Sequence, residues 1–241
     1  MYFSYNGVLG FVHPFSQRSG SFQMATVIEA AVRFESLADV LASLGDVSPA
    51  RIPLQQSLGS ATEDDILRLV HAPRKKICEL VDGILVEKAM GYEESVLAGV
   101  LLQLLNSFVL PRKLGLVSGE QGMVSLWRGR VRAPDVAFIS WDRIPGRKIP
   151  KEPIPQLVPD LVVEILSVSN TRNEMRLKRE DYFQAGVRLV WEFDPQTRTV
   201  QIFTQVDPPD STLTERDSLS GGDVLAGFAL SLREFFAVLD S

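Results

Sequence analysis

Apolar residues at helical spacing predict five helices along the chain. Local signals mark their limits: Gly45 and Gly186 follow two of them, while Thr62 and Thr171 each precede an acidic residue three positions on, as in a capping box. The predicted helices span residues 34–44, 62–70, 92–110, 171–184 and 232–239. The third is apolar around most of its circumference, so we expect it in the interior.

Short apolar runs between the helices predict strands. Asp82-Gly83 separates two such runs and is a strong β-hairpin signal. The predicted strands span residues 77–81, 84–86, 114–117, 123–126, 131–139, 161–166, 189–193 and 200–203. The three runs between 114 and 139 predict a meander, and the next run is apolar enough to be buried on both faces. This order of elements indicates an α/β fold of the α+β type, with a mixed central sheet flanked by helices.

Composition narrows the class of protein. The 241 residues, 45% of them hydrophobic, suffice for one main domain. We expect a disordered or upstream-start leader at 1–23, an N-terminal helical extension at 24–70 and the main domain at 71–241. One cysteine excludes an internal disulfide, and two histidines disfavour a histidine-rich metal site, so any metal must bind carboxylates. Because no apolar run reaches about 20 residues, we expect a cytoplasmic protein without a membrane partner.

A carboxylate inside an apolar strand is the most informative anomaly. Glu164 lies within the run 162–166, whose other members are Val, Ile and Leu. Burying a carboxylate is costly unless it gains an opposite charge, a proton or a metal ion. A buried ion pair with an arginine and a catalytic role explain Glu164 equally well.

Asp135 and Lys178 are the residues that could act with Glu164. Asp135 follows Pro134 at the start of an apolar run, where a turn-forming aspartate would look similar. Carboxylates from neighbouring strands can converge on a hard cation such as Mg²⁺. Lys178 lies two turns inside the helix that follows the Glu164 strand, and an exposed pair with Glu174 is its simplest alternative.

Several short motifs occur together between about residues 77 and 239. They are Pro134-Asp135-Val136, the run PDLVVEILS at 159–167, Lys178 with Tyr182, Gly186-Val187, Trp191 and Asp194-Pro195. In order and spacing they resemble the signature of Uma2-type restriction endonucleases, a branch of the PD-(D/E)xK nuclease superfamily. The resemblance implies a restriction-endonuclease-like core in which Pro134-Asp135 is the PD element and Glu164 begins the (D/E)xK element. Leu166 occupies the lysine position, so Lys178 would be a lysine that has migrated to the next helix.

The resemblance also implies a reaction. Asp135, Glu164 and the main-chain carbonyl of Ile165 would hold Mg²⁺ or Mn²⁺, and Lys178 would assist the hydrolysis of a phosphodiester bond. The chain would then be a metal-dependent endonuclease acting on DNA. Glu94 is the candidate for a further catalytic carboxylate, although a favourable charge at a helix N-terminus explains it as well.

The alternative function is a catalytically weak or inactive nuclease-fold module that binds or regulates. A formal net charge of −5 favours this alternative, because extensive phosphate neutralisation needs clustered basic residues. The expected partner is nucleic acid, with DNA preferred and the choice between DNA and RNA left open by the sequence. The sequence leaves open whether the chain forms a homodimer.

Overall fold

The structure is a computed structural model that describes residues 34–53, 58–89 and 91–240, all within the unit Val32–Ser241. The helices are α1 (Leu37–Ser43), α2 (Glu63–Val70), α3 (Tyr92–Val109), α4 (Arg172–Ala185) and α5 (Leu232–Phe236). The strands are β1 (Cys78–Val81), β2 (Ile84–Glu87), β3 (Gly115–Gly119), β4 (Val124–Trp127), β5 (Arg130–Arg132), β6 (Val136–Ser140), β7 (Leu161–Ile165), β8 (Leu189–Asp194), β9 (Thr199–Phe203), β10 (Ser211–Thr214), β11 (Ser218–Ser220) and β12 (Ala229–Ser231). The five predicted helices are present. The last three strands were not predicted because they are short and rich in Ser and Thr.

Two sheets carry the fold. The first has the strand order β2-β1-β5-β4 and is antiparallel throughout. The second has the order β10-β9-β8-β7-β6-β3, in which β7 and β8 are parallel and the other neighbours antiparallel. Parallel pairing needs a crossover connection, which α4 supplies between β7 and β8. The central sheet is therefore mixed, and the prediction of a mixed sheet is confirmed.

The chain changes sheets between β5 and β6. β5 pairs with β1 and β4, whereas β6 pairs with β3 and β7. The link consists of Ala133, Pro134 and Asp135, and Pro134 interrupts the ladder because it has no N–H to donate. The predicted meander, with one continuous strand over 131–139, is therefore wrong. β3 pairs with β6 in the second sheet, while the β4–β5 hairpin belongs to the first.

β7 separates two apolar layers, and this arrangement decides which way Glu164 points. Side chains alternate along a strand, so the odd-numbered residues of β7 pack with α3 and α5. Val162 instead packs in the cluster that contains Tyr182 of α4. Glu164 shares a face with Val162 and lies beneath α4, in a strand whose five residues are all buried.

The two N-terminal helices pack on the β1–β2 hairpin. Val40 of α1 belongs to a cluster with Val81, and Ile66 of α2 belongs to a cluster with Leu80. Successive residues of β1 therefore face opposite layers. The division of the chain at residue 70 stays a prediction, and the predicted leader lies outside the described residues. In the described part of the chain, no helix combines the length and apolarity needed to cross a membrane.

Candidate active site

Glu164 is buried at the centre of the candidate site. Its residue is 4% exposed, and α4 covers its carboxylate. Tyr182 donates its hydroxyl hydrogen to Oε1 at 2.5 Å, and the Lys178 ammonium lies 3.1 Å from Oε2. The two side chains reach one carboxylate because residues four apart share a helix face. The start of α4 is fixed by Thr171, whose hydroxyl accepts a hydrogen bond from the N–H of Glu174.

Asp135 is held against β7, next to Glu164. Its N–H donates to the Val163 carbonyl, and its Oδ2 accepts a hydrogen bond from the N–H of Ile165 at 2.6 Å. The Lys88 ammonium lies 2.8 Å from Oδ1 without the geometry of a hydrogen bond. Among the described residues, none forms a hydrogen bond to this buried oxygen. Asp135 Oδ1 is thus neutralised by charge alone.

A third buried carboxylate, Glu79 of β1, belongs to the same cluster. Its Oε1 lies 3.2 Å from the Lys178 ammonium and accepts a hydrogen bond from the Ala133 N–H. Its Oε2 accepts a hydrogen bond from Arg132 at 2.7 Å. The Arg132 guanidinium also binds Asp181 of α4 through its Nε at 2.8 Å. This chain of charges joins the first sheet, the second sheet and α4.

Glu79 and Glu164 differ in how firmly they hold their charge. Burial raises the pKa of Glu164, and the charges of Asp135 and Glu79 raise it further, against the opposing effect of the neighbouring lysines. Burial alone would also raise the pKa of Glu79, but Lys178 and Arg132 lower it to about 2. The single Lys178 ammonium is shared, so Glu79 stays ionised and Glu164 is the more easily protonated.

Lys178 is a buried ammonium whose residue is 3% exposed. Burial alone would lower its pKa, but the charges of Glu164 and Glu79 outweigh this effect and raise the pKa above its ordinary value. The alternative of an exposed pair with Glu174 is wrong, because Glu174 bonds to the Arg51 guanidinium at 2.8 and 3.0 Å. The alternative of an arginine partner for Glu164 is also wrong, since its cation is this lysine.

Glu94 lies apart from the cluster. It is half-buried in the first turn of α3, and a Cβ atom on Gly91 would come 2.4 Å from its Oε2. The side chain therefore folds back over the start of the helix. Among the contacts of the described residues, none joins Glu94 to Asp135 or Glu164. Its role as a further catalytic carboxylate stays a prediction.

A cavity of about 300 Å³ lies beside Asp135, between α3 and the turn that joins β3 to β4. Small residues line much of it, namely Ser95, Ala98, Gly99, Gly119 and Gly122. A ligand group of small cross-section could therefore approach Asp135 without displacing a large side chain. A larger cavity, of about 760 Å³, lies at the start of α4 and is lined by neither Asp135 nor Glu164.

Two members of the cluster, Glu79 and Lys88, were not predicted from the sequence. Glu79 carries the same signal as Glu164, because it is an acidic residue inside an apolar strand. Lys88 carries no such signal, since it directly follows β2, where a lysine is as common as in any loop. Its place beside Asp135 depends on the packing of the first sheet against the second.

The donor set of the site fits a hard divalent cation, which prefers oxygen ligands and retains several waters. Asp135 Oδ1, buried and without a hydrogen-bond donor, is the clearest sign of such a fit. Within the described residues, no three or more His, Cys, Asp or Glu side chains are grouped so as to hold a metal ion. A cation here would therefore take few side-chain ligands and complete its shell with main-chain or water oxygens.

Fold and site together define a restriction-endonuclease-like α/β protein with a buried cluster of carboxylates and lysines. A crystal structure described as "a putative nuclease belonging to DUF820", from Anabaena variabilis, has the same fold, with a TM-score of 0.63 and 21% sequence identity over 74% of this chain and 98% of that chain. The Uma2 family model, described as "Putative restriction endonuclease", matches residues 63–233, more than half of the sequence. The chain therefore belongs to the Uma2 family. No curated protein matches it.

Proposed function

We propose that the chain is a Mg²⁺- or Mn²⁺-dependent endonuclease that hydrolyses phosphodiester bonds of DNA. The observation that carries this proposal is the meeting of Asp135, Glu164 and Lys178 in one buried cluster at the junction of β6, β7 and α4. Membership of the Uma2 family supports a nuclease-like function. DNA as the substrate, a cation and catalysis itself are parts of the proposal.

Asp135, Glu164 and the main-chain carbonyl of Ile165 would hold the cation. When bound, such an ion polarises a phosphodiester and lowers the pKa of a bound water, which supplies a nucleophile at neutral pH. Hydrogen bonds within the chain hold both carboxylates in place before a cation binds. The Ile165 N–H fixes one oxygen of Asp135, and the Tyr182 hydroxyl fixes one oxygen of Glu164.

Lys178 would stabilise the negative charge that develops on the phosphate, or orient the attacking water. Its ammonium is held between Glu164 and Glu79, at 3.1 and 3.2 Å, so its position is defined before substrate arrives. Its raised pKa keeps it charged at neutral pH. The cavity beside Asp135 offers a path by which a phosphodiester could approach.

A second candidate is a binding or regulatory module that does not cleave. The observation that favours it is that every carboxylate of the site already has a cationic partner: Lys88 faces Asp135, and Lys178 faces both Glu164 and Glu79. Removing a buried charge from its partner is costly. A protein with this arrangement can fold and bind without a metal ion.

Asp135→Asn distinguishes the two candidates, because the amide oxygen can still accept the Ile165 N–H while the charge is lost. We expect wild-type protein to cleave plasmid or linear DNA with Mg²⁺ or Mn²⁺, and Asp135→Asn to lose about 100-fold or more of this activity together with Mn²⁺ binding. Glu180→Gln, in the exposed pair with Arg176 on α4, is the matched control and should keep both.

Absence of cleavage would decide against the proposed enzyme. If wild-type protein binds nucleic acid but does not cleave supercoiled, linear or single-stranded DNA, or RNA, with either metal, the binding module is the correct function. Equal activity of wild type and Asp135→Asn would mean that the cleavage arises elsewhere or from a contaminant.

A further inference from the structure

Lys88 is a buried lysine to which the proposed reaction assigns no role. Its side chain is 5% exposed, and its ammonium donates to the Ala133 carbonyl while lying 2.8 Å from Asp135 Oδ1. It thus contacts the residues on both sides of Pro134, where the chain changes sheets. A lysine whose only task was solubility would point its ammonium into water.

Lys88 faces Asp135 Oδ1, the carboxylate oxygen to which a metal ion would bind. Asp135 Oδ2 is occupied by the Ile165 N–H, whereas Oδ1 has the ammonium nearby and no hydrogen bond from the described residues. Glu164 differs, because its two oxygens are bonded by Tyr182 and Lys178. In this cluster, Asp135 Oδ1 is therefore the buried carboxylate oxygen most available to a metal ion.

We propose that the Lys88 ammonium occupies the cation position of Asp135 in the metal-free protein, and that a divalent ion must displace it to bind there. This inference rests on the proposed function, because it takes Asp135 as a metal ligand. A Mg²⁺ ion about 2.1 Å from Oδ1 would lie no more than about 5 Å from an ammonium that stayed in place. Two cations so close in a buried site repel each other strongly.

Lys88 has two opposite effects on the site, one on the metal-free protein and one on metal binding. Lys88 stabilises the empty site, because it leaves no buried carboxylate without a cation. The same ammonium weakens metal binding, since the incoming ion must first break its pairing with Asp135. The metal affinity of this protein is then set by a side chain that is not a ligand.

Replacing Lys88 with Gln tests the competition directly, because the amide can still donate to the Ala133 carbonyl but carries no charge. Even with water-like screening, repulsion across about 5 Å changes the affinity for a divalent ion by about tenfold. We therefore expect Lys88→Gln to bind Mn²⁺ at least about 10-fold more tightly than wild type in calorimetric titrations. Lys76→Gln, which removes a partly exposed ammonium paired with Glu87 just before β1, should bind like wild type.

A second measurement uses the unaltered protein. Lysine acylation, read by peptide mass spectrometry, should be slow at Lys88 without metal and faster when Mg²⁺ is present at a saturating concentration. Lys178 should stay protected in both conditions, because Glu79, which is not a proposed metal ligand, still holds its ammonium. If Lys88→Gln folds only when Mn²⁺ is added, that result also supports the exchange. If it folds in neither condition, the acylation of wild type decides.

The possible failures are distinct. Mn²⁺ binding that is equal in wild type and Lys88→Gln, with no change in Lys88 acylation, overturns the competition and leaves the nuclease proposal in place. Binding by neither protein overturns both proposals. Tighter binding by Lys76→Gln to the same extent would show a general charge effect instead of a position at Asp135.

Discussion

Replacing Glu79 with Gln should destabilise the protein far more than the same change at Glu164. The pKa of Glu79 is lowered from 4.5 to about 2 by its cationic partners. At about 1.4 kcal/mol per pH unit, this difference corresponds to about 3 kcal/mol of stabilisation in the folded state. Glu79→Gln also leaves Arg132 with one anionic partner fewer, so we expect a loss of about 3 to 5 kcal/mol at neutral pH.

Glu164→Gln should change the free energy of unfolding by no more than about 1 kcal/mol. The pKa of Glu164 is raised by burial, so the folded protein disfavours its charge. The amide also preserves the local contacts, because its oxygen can accept from Lys178 and its nitrogen can donate to the Tyr182 hydroxyl. Lys178 retains Glu79 as its anion.

Urea unfolding measured over a series of pH values separates the two variants. A carboxyl group whose pKa is lowered in the folded state contributes stability above its unfolded pKa and loses it as the pH falls through the folded pKa. The contribution of Glu79 is therefore complete above about pH 4.5 and disappears towards pH 2. Wild type and Glu164→Gln should lose stability over this range more steeply than Glu79→Gln. Equal losses for the two variants at neutral pH, with the same pH dependence as wild type, would refute this assignment of the charge.

Three further outcomes are expected. Lys178→Met should cost about 3 kcal/mol or more in urea unfolding, because it leaves Glu79 and Glu164 without their shared ammonium; a cost below about 1 kcal/mol would show that other cations suffice. Tyr182→Phe should cost about 1 to 2 kcal/mol, since it removes the hydrogen bond to Glu164, and an unchanged stability would place that hydroxyl in contact with water. Gly186→Ala should lower the melting temperature by an amount equivalent to about 1 to 2 kcal/mol, because Gly186 adopts a φ of 100° at the end of α4 and a Cβ atom is unfavourable there. A neutral effect would mean that the helix end adjusts.

The helices and the main strands could be predicted because their signals are local. The Asp82-Gly83 turn, the Thr62 capping box and the Gly186 helix stop all occur where the sequence predicts them. The change of sheets at Pro134 could not be predicted. An apolar run broken by one proline suggests a single strand with a defect, and only pairing partners distant in sequence reveal two strands.

The candidate site shows the same division. Glu164 could be found because a carboxylate in an apolar strand is an anomaly that the sequence itself displays, and Glu79 could have been found in the same way. Lys178 could be predicted only through the family resemblance. The helix alone is explained equally well by an exposed i, i+4 pair of Lys178 with Glu174. Lys88 could not be found, because its importance depends on a tertiary contact with Asp135.

The three-residue link at the change of sheets also restricts where the chain can gain or lose residues. β5 is held in register by β1 and β4, and β6 is held in register by β3 and β7, so neither strand can slide to absorb an insertion. A residue inserted between Asp135 and Val136 would therefore move the Asp135 carboxylate away from the Ile165 N–H, because β6 keeps its register with β7. A chain with a changed length at this point of the link could keep both sheets and still lose the site.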